Sequence, residues 1–175
     1  AGLGLSAWKK QLAGTRQYDV AYELHLSVLK VRDSIKHVRH PAVFPSETNR
    51  AVEYFKNKFP DKLSDVNEQN AQPYVYEMRW GEIVEATREM ESHLLGAEVL
   101  WGKDIIHLIK PLKQKITELN ICLKQSFNQK FRTKKPEEID SIIYADLGDE
   151  DHDKFAIEIN DVIESITCYI KAKIA

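Results

Sequence analysis

From Tyr76 to about Phe127, apolar side chains recur at steps of three or four. Tyr76, Trp80, Ile83, Thr87, Met90, Leu94, Ala97 and Trp101 begin the series, and Ile105, Leu108, Leu112, Ile116, Leu119, Leu123 and Phe127 continue it. A seam of this period predicts one helix of roughly 50 residues, ~75 Å long if unbroken. Such a helix must bury its seam against other helices. Pro111 falls inside the pattern, where it removes one backbone donor and crowds the carbonyl of His107. The stripe continues past it, so the reading is a kinked helix rather than a helix end. Gly81, Gly96 and Gly102 lie on the same stretch and each costs up to ~1 kcal/mol relative to Ala, which suits close approach of a neighbour.

Shorter amphipathic segments surround this one. Val20, Leu24, Val28, Val31, Ile35 and Val38 predict a helix from about Tyr18 to Val38, with a start as early as Ser6 left open and Gly14 as a weak junction. Pro41 and Pro45 bracket the following loop. Ser46 as N-cap and Glu47 in the first turn predict a second helix with Ala51, Val52, Phe55 and Phe59 facing inward, stopped by Pro60. A short helical turn is expected near Leu63 and Val66, and a short helix over Glu137–Leu147 that ends near Gly148. Asp151-His152-Asp153 reads as a helix start, and Phe155, Ile159, Val162, Ile163, Ile166 and Ile170 as the buried face of a last helix over Asp151–Ala172. No segment reads as a strand. The expected fold is therefore all-α: an up-down bundle built on one long, Pro-kinked central helix.

At 175 residues with 43% hydrophobic side chains, the chain is long enough for one domain with its own core. A net charge of −2 argues against a dedicated nucleic-acid binder. The charge is unevenly placed: Lys9 to Arg39 holds seven Lys/Arg against three Asp/Glu, and Glu77 to Glu98 six Glu against two Arg. The two helices that carry these runs complement each other as antiparallel neighbours. Cys122 and Cys168 both sit beside apolar residues in helical patterns and read as free core thiols, since a stapled secreted fold carries more cysteines.

The first ten residues, Ala1-Gly2-Leu3-Gly4-Leu5-Ser6-Ala7-Trp8-Lys9-Lys10, run from small and apolar to Trp to Lys. That order suits the exit of a membrane-anchor helix, with Trp8 at headgroup level and Lys9 and Lys10 on the cytoplasmic side. Ten residues are too few to span a bilayer, so residues 1–10 read as the end of such a helix and 11–175 as the bundle domain.

Candidate chemistry is sparse. Glu89 and His93 are four apart and could share a metal, but the Glu-x-x-His pairs of di-metal bundles are absent, and no metal or cofactor is expected. Arg32-Asp33-Ser34-Ile35-Lys36-His37 has the Arg-x4-His form. It resembles the catalytic signature of HEPN ribonucleases, which are also all-α; there the His works in acid–base cleavage and the Arg supports the phosphate. The plainer reading of the same residues is a solvated basic face.

One further resemblance is broader. Leu3 to Gly14, Tyr18-Asp19-Val20-Ala21, Val28 to Asp33, Val38-Arg39-His40-Pro41, Arg79-Trp80 and Ala97 to Gly102 together resemble a bacterial family with an N-terminal membrane helix and a helical domain behind it. That family has no assigned activity, so the resemblance implies placement and no catalytic residues. The expectation is a non-catalytic, membrane-tethered helical interaction domain facing the cytoplasm, with a protein partner or a second copy bound along the long helix. The enzyme alternative is an HEPN-like ribonuclease that uses Arg32 and His37.

Overall fold

The computed structural model describes residues 2–60, 70–128, 130, 132–146 and 152–174; side chains are described from residue 11, except that of residue 13. Among these residues the protein is all-helical: α1 (Gly2–Arg39), α2 (Pro45–Lys58), α3 (Gln72–Trp101), α4 (Asp104–Phe127), α5 (Pro136–Ile143) and α6 (Lys154–Ile174). The expected turn near Leu63 and Val66, the Leu147-Gly148 end of the short helix and the Asp151 start of the last helix lie outside the described residues.

The long central helix is two helices. α3 ends at Trp101, and Gly102 takes φ 76° and ψ −165°. That region is essentially closed to side chains with a Cβ, so the glycine is what permits the turn. The Gly102 N–H still closes α3 by donating to the Glu98 carbonyl at 2.8 Å. Asp104 then opens α4, a favourable charge in a first turn. The chain reverses here: Glu91 pairs with Lys113, and the Tyr76 ring packs on Phe127. The expected single, Pro-kinked helix is therefore corrected to two helices that meet in a hairpin at Gly102. Pro111 stays inside α4, on its exposed side, where water can serve the His107 carbonyl that the ring leaves without an N–H.

The other pairings are also antiparallel. Val20 of α1 lies against Gly96 of α3, Lys30 against Glu89 and His37 against Glu82. His25 of α1 meets Thr167 of α6, and Arg39 meets Asp153 just before α6. Lys115 of α4 meets Glu158 of α6, while Trp101 meets Tyr169. Helices α1, α3, α4 and α6 thus run up, down, up, down around one core. Leu24, Val28 and Val31 of α1, Ile83, Met90 and Ala97 of α3, Ile105, Ile109, Leu112 and Leu119 of α4, and Ile166 and Ile170 of α6 fill it. Val20 with Gly96 and Glu23 with His93 each sum to 116, which puts the Gly102 turn level with about residue 14 of α1. The backbone of residues 2–13 runs on past that turn by about 18 Å. α1 passes Gly14 and the 10/11 boundary without a break.

Helix α2 leans on α3. Its N-cap is Phe44 and not Ser46; Pro45 takes the first helical position, where a missing N–H costs nothing. Helix α5 packs mainly on α4. Both cysteines are free, but only Cys122 is buried; Cys168 lies on an exposed face of α6, which corrects its reading as a core thiol.

Candidate functional site

The end of the bundle where α1 terminates holds two arginines that the helix periodicity does not point to. Arg39, the last residue of α1, is 2% exposed. Its Nη1 donates to Asp153 Oδ2 at 2.9 Å and its Nη2 to Asp153 Oδ1 at 2.9 Å. Nε donates to the Ile142 carbonyl at 2.8 Å, and Nη2 also reaches the carbonyls of Ser141 and Tyr144. The guanidinium lies over the Phe155 ring, 4.9 Å from its centroid. Burial pushes the Asp153 carboxyl up, but the bonds from Arg39 and from the backbone N–H groups of Ala156 and Asp146 outweigh it and hold the group below the usual carboxylate range. The bond to Ala156 N–H also makes Asp153 a cap for α6. One side chain therefore tethers α1, α5 and the start of α6.

Arg79 of α3 does the same for α2. It is 2% exposed, whereas Trp80, assigned to the seam from sequence, is only partly buried. Its Nε and Nη2 take the two oxygens of Glu47 at 2.8 Å each, and the remaining bonds go to the carbonyls of His40 and Ala42 at 2.7 Å. Hydrogen bonds from Arg79 pull the Glu47 carboxyl down to about 2. Glu47 Oε2 also accepts the Phe44 N–H at 3.0 Å, so the same carboxylate closes the first turn of α2. Pairs this well satisfied are structural: both guanidinium groups and both carboxylates are already engaged.

Arg32 and His37 are not brought together within the chain. Arg32 lies on the α6 side of α1, bonded to its neighbour Asp33 at 2.8 Å, and lines a cleft of about 380 Å³ with Lys36, Arg39, Ile157 and Asn160. His37 lies on the α3 side, between Glu82 at 2.7 Å and Glu47 at 3.3 Å, and lines a separate cleft of about 530 Å³ with Met78 and Glu85. Five residues along a helix turn a side chain through about 140°, which accounts for the separation. His93 bonds Glu23 at 3.3 Å and stands 3.9 Å from Glu89, whose carboxylate is held by Lys30. No group of three or more His, Cys, Asp or Glu among the described residues could hold a metal ion.

What the surface offers is apolar. Leu12, Tyr18, Tyr22 and Leu26 on α1, and Leu95, Val99 and Leu100 near the hairpin, are exposed, Val99 to 84%. Trp8, Lys9 and Lys10 lie on the part of α1 that runs past the hairpin; their side chains are outside the described set. No helix among the described residues is long and apolar enough to cross a membrane. No protein-family model, curated protein or solved structure matches the chain.

Proposed function

We propose that this chain is a non-catalytic helical interaction domain, held at a membrane through apolar chain on the N-terminal side of Trp8 and facing the cytoplasm. The observation that carries the reading is the contrast between its two kinds of surface. The two buried ion pairs at the Arg39 end, Arg39–Asp153 and Arg79–Glu47, are consumed by structural roles, whereas α1 and the α3 hairpin expose apolar side chains that the core does not use. Contiguous exposed apolar surface in a folded domain marks a contact with a partner or a lipid surface. The order of residues at Trp8-Lys9-Lys10, on a helix that runs past the bundle, supports placing the membrane at that end. The resemblance to a tethered bacterial family points the same way.

The test uses the full-length gene product in its own cells. It should sediment with membranes. The exposed Cys168 should resist a membrane-impermeant thiol reagent in intact cells and react after lysis. Recovery wholly in the soluble fraction would remove the tether, and labelling without lysis would reverse the topology. The ribonuclease alternative is tested on the purified protein: RNA cleavage that His37→Ala abolishes would replace the non-catalytic reading.

A further inference from the structure

Helix α1 carries a second seam on the side away from the core. Its inward face is Ala21, Leu24, Val28, Val31 and Ile35, all buried. On the opposite side Leu12, Thr15, Asp19, Tyr22, Leu26 and Leu29 follow each other at steps of three, four, three, four and three. Leu12, Tyr22 and Leu26 are exposed, Tyr22 to 59%, and Leu29, at the edge of this face, is partly buried against the core. Leu5 and Trp8 extend the same spacing toward the N-terminus. A helix that is apolar on both faces has a second surface to cover, and this period is that of a helix that coils against another helix.

We propose that this outer seam pairs with a second copy of the chain, the two α1 helices running antiparallel about a two-fold axis between Asp19 and Tyr22. The inference rests on reading the outer face of α1 as an interaction surface, and it names the occupant. What selects a second copy is that the seam is complementary to itself in one orientation. Antiparallel packing sets each residue of the seam opposite the one whose number makes a sum of 41. Leu12 then faces the partner's Leu29, Thr15 faces the partner's Leu26, and Asp19 faces the partner's Tyr22, whose phenol O–H can donate to the carboxylate. The two-fold axis repeats each layer once. Beside the seam, Arg16 comes alongside the partner's Glu23, again twice; Glu23 stands 3.3 Å from His93 within its own chain and is 56% exposed, so its carboxylate is shared between the two contacts.

The parallel alternative stacks Asp19 on the partner's Asp19 at the centre of the seam. Two carboxylates in one layer repel, and no donor stands between them. Six layers over 18 residues make a contact about 27 Å long, at the small end of specific interfaces, so the pairing is reversible and concentration-dependent. In the antiparallel pair the two N-termini leave at opposite ends of the interface.

The test is made in a Cys168→Ser background, which leaves only the buried Cys122. Leu12→Cys and Leu29→Cys are prepared as separate proteins and oxidised mildly, alone and mixed. A covalent dimer is expected from the mixture, several-fold above either protein alone. Equal covalent dimers from each protein alone would establish parallel pairing and overturn the register. Sedimentation of the unmodified chain should show its mass rising toward that of a dimer with concentration. Leu26→Glu should hold it at the monomer mass with an unchanged helical spectrum, because Leu26 is exposed and leaves the core intact. A monomer at every concentration overturns self-association. If that monomer binds anionic vesicles, and Leu26→Glu prevents the binding, the face belongs to lipid; the interaction reading then survives without this inference.

Discussion

The Arg39 guanidinium and the Asp153 carboxylate meet through two parallel N–H···O bonds of 2.9 Å, with their side chains only 3% and 5% exposed. They stand 114 residues apart in the chain, so this pair closes one end of the bundle between its first helix and its last. A charge removed from such a site leaves the other buried and unmatched. Asp153→Asn and Arg39→Met are each expected to cost about 3–5 kcal/mol in denaturant unfolding. The double change Arg39→Met with Asp153→Leu should recover part of that loss, since it leaves no orphaned charge. Equal costs for the single and double changes would show that packing, and not charge, is what the site requires.

The hairpin at Gly102 makes a paired demand. Gly102→Ala places a Cβ on a backbone at φ 76° and should cost about 1–3 kcal/mol. Gly81 lies inside α3, exposed, with nothing within 4 Å of a built Cβ. Gly81→Ala should therefore stabilise the protein by about 0.5–1 kcal/mol. Thermal melts of the two variants should move in opposite directions; a neutral Gly102→Ala would show that α3 and α4 join without the turn described.

Tyr169 offers a smaller effect. Its hydroxyl and the indole N–H of Trp101 are both buried without a hydrogen-bond partner among the described residues, and the two rings pack edge to face with centroids 6.2 Å apart. Tyr169→Phe keeps the ring and removes the unmatched hydroxyl, so it should be neutral or stabilising by up to about 1 kcal/mol. A loss of stability in denaturant titration would reveal a partner for that hydroxyl.

The helical phase of this protein is legible in its sequence, and the reversal of the central stretch is not. Trp101 to Ile105 is a step of four, so the seam reads straight through a two-residue turn as if the helix were unbroken. Both arms of a tight helical hairpin face one core, and the turn leaves the phase intact. The only local signs are Gly102 and the acidic Asp104 behind it, and other glycines on the stretch lack any such turn. Arg39 and Arg79 were hidden for a different reason. A basic residue beside an apolar position reads as solvated, and the carbonyls and carboxylates that satisfy these two come from segments up to 114 residues away. Arg32 and His37 show the converse: adjacency in a motif does not survive the turn of a helix. Asp153 reads as part of a helix start, and it does cap α6, but its larger role with Arg39 is not visible in the sequence.

Acid should unfold this bundle through its clamped carboxylates. In the folded protein Glu47 is held at about 2 by hydrogen bonds from Arg79, against an ordinary value of 4.5. Asp153 is shifted in the same direction, below its ordinary 3.8. A carboxylate depressed in the folded state contributes stability that is fully present above its unfolded pKa and is lost as pH falls through the folded one. The Glu47 contribution should therefore be complete above about pH 5 and disappear between there and about pH 2. Allowing for the partial exposure of Glu47, its share is on the order of 2 kcal/mol. Glu47→Gln keeps the shape but cannot ionise, so it should lower stability at neutral pH and flatten the acid limb of the stability profile. Denaturant unfolding at a series of pH values measures both. A variant whose acid limb keeps its full slope would place the titrating group elsewhere and leave Arg79 without the role assigned to it.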